Sequence, residues 1–594
     1  MNLRRTVLCL PLVLGSCNLY ANTPLPNAEV TVIEGKSTPY TQPLSGSWNV
    51  DPSYPSWLKV SRTEGKGDIA FNITARNVSS CTTQTGQVTI NWNKDLVGAG
   101  STVLKVNYLP LGSSLEGRSK TQNQDLGIMV RYRTGAAARK ALARGLSVSG
   151  QGVVGGSSES RRVLVSGMSL EDLLADPEVE SAVPNAPLYA IRGADFPQTA
   201  VFPSRSRSLP NTGRSSFVPP DQYYPLQWAF RALEYPKVWG ALQTRSNLSP
   251  VVVAVLDGGI RYDHPDLQGR LVGPGEGALD LVGLTPSNSD GFGPDEDPTD
   301  PSAPVSSNEN CQGTRLYNSS HGTHVAGIIV ARSGEFPKPC PACSSTGVVG
   351  ATFPAPVKVL PIRVINIKDS ADVFGTSSAI RYAAGETLTF SGKSYTNPLA
   401  SQTKVINLSL GGALSPDSST AQELCSAVTY AKSKGILVVA ASGNSSSPRL
   451  LYPAACTDAV AVGSVKPKNA ALELELASYS NTGEGLMLSA PGGDAGSSFN
   501  GATLNGQPAR DLIFSTDWDF IKNEPKYEQK AGTSQASPQV AALAALIWST
   551  GLESTPDATL ERMTRTALDL GAPGRDPQYG YGVIQPAEAL EIKP

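Results

Sequence analysis

The first hundred residues of the chain alternate apolar and polar positions over short stretches that turn residues separate. Two clear examples are residues 86–92 and 102–108, in which Val, Ile, Leu, Trp and Tyr recur at every second position. Such alternation places one face of each strand in a core and the other face in solvent. We therefore expect residues 24–112 to form a small β-sandwich, whose role is either binding or spacing.

After residue 118 the pattern changes to a mixture of strands and helices. Apolar runs typical of strands alternate with stretches that have helical spacing. The strands are expected at residues 126–132, 162–165 and 183–191, and the helices at residues 136–146 and 169–175. Residues 118–195 are therefore expected to form a small α+β domain.

The next segment, residues 196–222, carries Pro, Ser, Gly and Arg without apolar periodicity. This composition is typical of an exposed linker, which proteases cut readily. We predict a processing site here, within a window that runs from residue 189 to residue 222. The alternative is an interdomain linker that is not cut.

A continuous apolar run at residues 251–256 is typical of a parallel strand that is buried on both faces. Asp257 comes directly after this run, at the carboxyl end where open α/β sheets carry their active groups. His321 precedes residues 322–332, whose small and apolar side chains can form a buried helix. Ser534 precedes a second helix, since apolar residues recur there at i, i+3, i+4 and i+7.

These three residue types can together make a hydroxyl nucleophilic near neutral pH. The imidazole of His321 would accept the proton of Ser534, and the buried carboxylate of Asp257 would orient the imidazole. The positive end of the helix after Ser534 would favour negative charge there. His321 and His324 also have the spacing of a metal pair, but the glutamate and the third ligand of a zinc hydrolase are missing. We therefore expect a serine hydrolase.

In this chain order, Asp257, His321 and Ser534 with their neighbours resemble the signature motifs of the subtilisin-like serine peptidases, the S8 or subtilase family. The resemblance extends over residues 221–590 and implies a catalytic domain at residues 223–594. It implies the family's three-layer α/β fold with a mainly parallel central sheet. The function that it implies is hydrolysis of peptide bonds in proteins with broad specificity.

The resemblance also implies further site residues. It makes Asn444 the side-chain donor to the oxyanion, a role in which losing the donor costs about 3 kcal/mol of transition-state stabilisation. The segments that bind the substrate are matched by Ser409, Leu410, Gly411 and Gly412, and by Ala441, Ser442 and Gly443. Asp266 matches a calcium-binding aspartate of many subtilases, and the alternative is an ordinary turn carboxylate. Such calcium would be structural, because the chemistry needs no cofactor.

The other domains are interpreted by the same resemblance. Residues 118–195 look like the family's propeptide, which chaperones folding and plugs the active site, so the enzyme would be made as an autoprocessed zymogen. Residues 24–112 faintly resemble sandwich modules of the BACON type. The alternative to an enzyme is a catalytically inactive subtilase fold that serves for binding or as a scaffold.

Length and charge bound the remaining possibilities. At 594 residues the chain is too long for one core, which agrees with several domains. Its 49 basic and 51 acidic residues give a net charge of −2, so nothing favours nucleic acid or an anionic membrane surface as a partner. The expected partners are protein or peptide substrates and the chain's own propeptide, and the expected state is a monomer.

Residues 1–21 begin with basic side chains and continue with a short apolar stretch, as an export signal does. The residues that end at Cys17 also resemble a bacterial lipobox, in which a lipid on the cysteine anchors the protein to a membrane. Without the lipid we expect a secreted protein, and with it a protein of the cell envelope.

An exported protein makes disulfides the default interpretation of its other cysteines. Similar pairs in some secreted bacterial subtilases favour a bridge between Cys425 and Cys456. The pairing of the others stays open; these are Cys81, Cys311, Cys340 and Cys343. The acidic residues within 290–300 are a second candidate for calcium, and the alternative is a solvated loop.

Overall fold

The computed structural model describes most of the chain between residues 28 and 592. The described residues are 28–33, 37–42, 44, 46–55, 58–75, 84–94, 98–109, 126–145, 152–191, 216–283, 293–301, 320–334, 347–367, 369–390, 392–504, 507–520 and 523–592. The export signal with Cys17, the linker up to residue 215, and the four cysteines of open pairing lie outside them. The described residues form two compact units, one within residues 28–109 and the other within residues 126–592.

The first unit consists of two sheets that enclose one core. Its strands are β1 (Ala28–Ile33), β2 (Ser37–Gln42), β3 (Gly46–Val50), β4 (Leu58–Val60), β5 (Glu64–Lys66), β6 (Ile69–Ala75), β7 (Gln84–Lys94) and β8 (Gly98–Leu109). One sheet has the order β1-β8-β7-β3-β5 and the other the order β2-β6-β4. The alternation seen in the sequence has its physical cause here, since Val88, Ile90 and Trp92 of β7 all face the core.

The second unit begins with a small α+β body within residues 126–191. Its elements are β9 (Ile128–Tyr132), α1 (Gly135–Arg144), β10 (Gly152–Ser157), β11 (Arg162–Ser166), α2 (Leu170–Ala175), β12 (Val179–Pro184) and β13 (Pro187–Ala190). The side chains of Thr134 and Ser169 cap the two helices by accepting hydrogen bonds from backbone N–H groups of the first turn. The apolar faces of both helices pack on the sheet.

The prediction of a single strand at residues 183–191 is wrong. The structure has two strands instead, Val179–Pro184 and Pro187–Ala190. A proline lacks the N–H that a ladder needs, so Pro184 and Pro187 delimit the break between the two strands. The strand β10 is not predicted either, because its sequence is rich in glycine and shows little alternation.

The rest of the second unit is a larger α/β domain. Its strands are β14 (Val251–Asp257), β15 (Leu279–Asp280), β16 (Val357–Arg363), β17 (Ser370–Asp372), β18 (Leu388–Phe390), β19 (Lys393–Tyr395), β20 (Thr403–Leu408), β21 (Leu410–Gly411), β22 (Leu437–Ala441), β23 (Ala459–Pro467), β24 (Leu474–Leu476), β25 (Leu486–Pro491), β26 (Thr503–Leu504), β27 (Gln507–Pro508), β28 (Ile513–Asp519) and β29 (Glu524–Lys530). Its helices are α3 (Trp228–Ala232), α4 (Tyr235–Gln243), α5 (His321–Val330), α6 (Val373–Ala383), α7 (Ser419–Ser433), α8 (Thr533–Ser549), α9 (Pro556–Arg565) and α10 (Pro586–Ala589). Among the described residues, no helix combines the length and the apolar character that a membrane span requires.

The central sheet of this domain is mainly parallel. Its order is β15-β16-β14-β20-β22-β23-β24, with β25 beside β23, and β24 runs antiparallel to its neighbour. Every residue of β14 is buried, and alternate residues enter two different cores, one with α5 and α8 and the other with α6 and α7. Burial on both faces explains why this strand is a continuous apolar run. The helix–sheet–helix layering confirms the predicted α/β class.

Two buried helices carry the predicted site residues to the end of the sheet. The helix α5 begins at His321, and α8 begins at Thr533, one residue before Ser534. The two helices pack together, and α5 also packs closely on β28. A Cβ atom at Gly327 of α5 would lie 2.1 Å from Thr516 Oγ1, so this approach depends on glycine.

A disulfide joins Cys425 of α7 to Cys456, with their Cα atoms 5.2 Å apart. The two cysteines are 31 residues apart in the sequence. Closing a loop of this length removes conformational entropy from the unfolded chain that is worth about 3 to 4 kcal/mol on the chain-entropy model. The bridge fastens α7 to the segment that leads into β23.

Candidate active site

Asp257 and His321 are in direct contact at the carboxyl end of the sheet. Asp257 is the last residue of β14 and is 1% exposed, and His321 is the first residue of α5. The Nδ1 atom of His321 lies 2.9 Å from each carboxylate oxygen of Asp257. Because the carboxylate accepts the Nδ1–H hydrogen bond, the lone pair stays on Nε2 and can accept a proton. Within the described part of the chain, Nε2 is buried and has no hydrogen-bond partner.

Ser534 is fully buried in the first turn of α8. Its Oγ atom donates a hydrogen bond of 2.5 Å to the carbonyl oxygen of Ile191 and lies 3.2 Å from the carbonyl oxygen of Ser409. Ile191 comes 343 residues before Ser534 and directly follows β13 of the α+β body. The site therefore contains a peptide segment of its own chain.

Asn444 contacts the same carbonyl oxygen. Its Nδ2 atom donates a hydrogen bond of 3.2 Å to Ile191 O. Its Oδ1 atom accepts two hydrogen bonds of 2.9 Å, from the backbone N–H and from the hydroxyl of Thr533. Since two donors hold the amide oxygen, the amide nitrogen must point the other way, towards Ile191. Thr533 thus orients this donor, a role that nothing in the sequence distinguishes from that of an ordinary residue at a helix start.

The segment that leads to Ile191 is bound as a strand. Strand β13 lies between β17 and β21 and is antiparallel to both. The pairs on the β21 side are Tyr189 with Gly411, Ala190 with Leu410, and Ile191 N–H with Ser409 O at 3.2 Å. The sequence predicts that residues 409–412 bind the substrate. Three of these four, Ser409 to Gly411, pair with the backbone of residues 189–191. On the β17 side, the N–H of Ala190 donates to Asp369 O at 3.1 Å, and Asp369 is not predicted from the sequence.

Two glycines shape the space for the side chains of the bound strand. Leu188 is 0% exposed and Ile191 is 5% exposed, whereas Tyr189 is 50% exposed. A Cβ atom at Gly412 would lie 2.8 Å from Leu188 Cδ2, and one at Gly411 would lie 3.2 Å from Ile191 Cδ1. The absence of side chains at both positions leaves room for two apolar side chains, those of Leu188 within β13 and of Ile191 directly after it.

The predicted segment before Asn444 has a constrained backbone. Ala441 ends β22, and the hydroxyl of Ser442 donates to Asn481 O at 3.0 Å. Gly443 has a φ of 122°, and a Cβ atom there would lie 2.3 Å from Asn481 Nδ2, so only glycine fits. Its N–H donates to Thr533 Oγ1 at 3.2 Å. These contacts hold the backbone that leads into the amide donor.

His324 has a structural environment. It is fully buried, and its Nε2 atom lies 3.2 Å from the carbonyl oxygens of both Ile513 and Glu528. Burial lowers the pKa of His324 well below its ordinary value, and the neighbouring charge of Lys530 acts in the same direction. We conclude that the ring packs as a neutral group that ties α5 to β28 and β29.

Asp266 is not part of the group around Ile191. It lies in the 3-10 turn Pro265–Leu267, and its buried Oδ2 accepts a hydrogen bond of 3.0 Å from Val348 N–H. Its Oδ1 has no hydrogen bond of good geometry among the described residues, and the hydroxyl of Tyr527 is close enough to lower the pKa of the carboxyl, which burial raises to about 7. Over the same described residues, His, Cys, Asp and Glu side chains form no group of three that is placed to hold a metal ion.

Comparison with known proteins gives one family match and several relatives. A model described as the subtilase family matches residues 249–582, more than half of the 594 residues. The extracellular protease of Xanthomonas campestris pv. campestris is 31% identical over 385 residues, which cover 63% of this chain and 57% of that protein. The minor extracellular protease Epr of Bacillus subtilis is 28% identical over 360 residues, which cover 60% and 41%. Subtilisin Savinase of Lederbergia lenta is 30% identical over 341 residues, which cover 57% and 90%.

The match thus spans only 57% and 41% of the first two of these relatives. Among solved structures, fervidolysin from Fervidobacterium pennivorans, a keratinolytic enzyme related to subtilisin, has a TM-score of 0.53 at 19% identity, and the match covers 79% of this chain and 61% of that chain. This likeness supports the fold alone. On the family match over residues 249–582, the chain belongs to the subtilase family of S8 peptidases.

Proposed function

We propose that this protein is a serine endopeptidase that works through an acyl-enzyme. The observation that supports this most is the environment of one carbonyl group. The oxygen of Ile191 accepts hydrogen bonds from the Ser534 hydroxyl and from the Asn444 amide. A nucleophile and an oxyanion donor that meet at the same carbonyl are what acyl transfer requires.

In the proposed reaction, His321 Nε2 takes the proton of Ser534 as Oγ bonds to the carbonyl carbon. The C=O electron pair moves to the oxygen, where Asn444 Nδ2 and the backbone N–H of Ser534 stabilise the negative charge. Asp257 stabilises the imidazolium, which then gives its proton to the leaving amine as the C–N bond breaks. Water attacks the acyl-enzyme with His321 again as the base, and the acid and the free Ser534 hydroxyl are released.

Broad specificity is part of the proposal. A substrate would bind as β13 does, through backbone hydrogen bonds to β17 and β21, and such bonds do not depend on side-chain identity. Preference would come from two apolar spaces, those filled here by Leu188 and Ile191. We expect cleavage after uncharged, mainly apolar residues.

We further propose that the first bond cut is the chain's own, between Ile191 and Arg192. This position lies inside the predicted window of residues 189–222, although it precedes the expected linker at residues 196–222. The α+β body would then be the propeptide, since its strand β13 fills the site until the body dissociates.

Two relatives are named extracellular proteases, which supports a role outside the cytoplasm. The monomeric state and a lipid at Cys17 stay predictions.

A structural calcium ion at Asp266 is also proposed. A buried carboxylate oxygen without a donor is a suitable ligand for a hard cation, and Asp266 Oδ1 is one. The side-chain oxygen of Gln222 is likewise buried without a partner among the described residues. Calcium within residues 290–300 stays a prediction, because residues 290–292 lie outside the described part.

The first prediction concerns the nucleophile. Ser534→Ala removes the attacking oxygen, so the variant should neither hydrolyse casein nor cut itself, whereas the wild type does both. Protein mass and casein digestion measure the two activities on the same samples. Ser549→Ala is the matched control, because Ser549 is buried at the other end of the same helix and its hydroxyl donates to Ser249 O, away from the site. Equal behaviour of Ser534→Ala and wild type would favour the inactive scaffold.

The second prediction concerns Thr533. Thr533→Val keeps the shape but removes the hydroxyl that holds Asn444 Oδ1, so kcat should fall about tenfold with little change in KM. Thr533→Ser should stay close to wild type, and Asn444→Ala should lose about a hundredfold or more. Steady-state hydrolysis of a peptide substrate gives these values. A kcat for Thr533→Val equal to that of Thr533→Ser would refute the orienting role.

The third prediction concerns calcium. In the Ser534→Ala background, which prevents self-digestion, EGTA should lower the midpoint of thermal unfolding, because a ligand that binds only the folded state stabilises it. Asp266→Asn should lower the midpoint and abolish the response to EGTA. Asp263→Asn, three residues away with a 54% exposed side chain, should keep the response. If EGTA leaves the parent midpoint unchanged, no calcium stabilises this site.

A further inference from the structure

A buried ion pair lies next to Asp257, at the carboxyl ends of three neighbouring parallel strands. Arg363 ends β16 and lies in register with Asp257 of β14 on one side and with Asp280 of β15 on the other. Its Nη1 atom is 2.8 Å from Asp280 Oδ2, and the two side chains are 0% and 2% exposed. A positive charge is therefore fixed one strand away from the carboxylate that contacts His321.

Arg363 also reaches the residue that follows Asp257. Its Nε–H donates to the carbonyl oxygen of Gly258 at 3.3 Å, and the N–H of Gly258 donates to Asp257 Oδ1 at 2.7 Å. The same Oδ1 is 2.9 Å from His321 Nδ1. A glycine backbone is the most permissive of all, so the path of the chain at Gly258 depends on what holds its carbonyl oxygen. Arg363 is thus linked to the imidazole through Gly258 and Asp257.

Residues 293–300 cover the ion pair and the turn that follows β14. The backbones of Asp295 and Asp280 exchange two hydrogen bonds, of 2.8 and 3.1 Å. The N–H of Ile260 donates to Pro298 O at 3.1 Å. A covered charge acts over a longer distance than an exposed one, because less water screens it.

The charge of Arg363 acts on the protonation of His321. A nearby cation disfavours the imidazolium, and a nearby anion favours it. Asp280 supplies such an anion on the far side of the guanidinium. With both partners present, Arg363 can hold Gly258 while its effect on the imidazole is largely cancelled.

We propose that Arg363 is a positioning residue for the base and that Asp280 is its counter-charge. Arg363 holds Gly258 so that Asp257 faces His321, and Asp280 keeps the cation from weakening the imidazole as a proton acceptor. This inference rests on the proposed function and adds to it two residues that act through others.

The first part of the test follows the ring protons of His321 by NMR as the pH is changed. It uses the full-length chain with Ser534→Ala, so the measurement does not depend on hydrolysis. The chain has three histidines. Burial lowers the pKa of His264 to about 4 and that of His324 well below its ordinary value, which separates their titrations from that of His321.

The two partners should shift this titration in opposite directions. Asp280→Asn removes the anion, so the midpoint of the His321 titration should fall by about half a pH unit. Arg363→Met removes the cation, so the midpoint should rise by about the same amount. The double variant should return close to the parent, because its net charge is that of the parent. A loss of packing alone does not produce shifts of opposite sign that cancel.

The other charged groups around α5 are the same in all these variants. They lie on the elements that pack against the helix and on β29, and are Asp257, Lys358, Asp266, Asp517, Asp519 and Lys530.

The second part measures kcat and KM on a peptide substrate, in the chain that retains Ser534. Arg363→Met should lower kcat about tenfold with little change in KM, because the lost hydrogen bond lies behind the base and not along the substrate strand. The double variant should keep this low kcat although its titration midpoint is restored, since the guanidinium donor to Gly258 is gone in both.

Arg562→Met is the matched control. Arg562 of α9 has a side chain that is 10% exposed, and its Nε is 2.7 Å from Glu553 Oε1. Losing this ion pair should leave both the midpoint and kcat at the parent values. Asp280→Asn keeps the guanidinium, so it tests the charge effect even where Arg363→Met folds poorly.

Equal midpoints for Asp280→Asn, Arg363→Met and Arg562→Met would overturn the inference, as would shifts of the same sign for the first two. A parent chain that hydrolyses no peptide would contradict the proposed function instead. The titrations do not depend on hydrolysis, so the two failures are distinguishable.

Discussion

The arrangement of the second unit depends on the hydrogen bonds that the carbonyl oxygen of Ile191 accepts. This oxygen accepts hydrogen bonds from Ser534 and Asn444, two residues that different elements of the α/β domain supply. To reach them, residues 187–190 must run as an extended strand between β17 and β21. The α+β body must therefore dock with its sheet in register with β18, and the contacts of Gly155 and Arg162 provide this docking. The α+β body thus contacts the α/β domain at two places, through Ile191 and through the strands β10 and β11.

The other part of the site depends on the burial of Asp257 and His321. A carboxylate that is 1% exposed is stable there because an imidazole N–H and a backbone N–H satisfy it. The parallel sheet places Asp257 at its carboxyl end, and the packing of α5 and α8 brings two helix starts to the same edge. A small residue also lets α5 approach β28 closely, since a Cβ atom at Gly327 would collide with Thr516.

Much of this arrangement follows from local sequence, and some of it does not. The buried apolar run before Asp257 predicts its strand, and the helical spacing after Ser534 predicts α8, because both signals are periodic over many residues. The roles of Thr533 and Asp369 are not predictable in this way, since each depends on a hydrogen bond to a residue far away in the sequence. Ile191 is missed for the same reason, because 343 residues separate it from Ser534. The break between β12 and β13 is also missed, although its two prolines are a visible signal.

The most direct test of the central claim, that Ile191 is the acyl residue of the first cleavage, is the mass of the two fragments that appear first when wild-type protein matures. The account predicts one fragment that ends at Ile191 and one that begins at Arg192, formed at a rate independent of protein concentration. First fragments with ends anywhere in residues 196–222, or fragments that form faster at higher concentration, would contradict it.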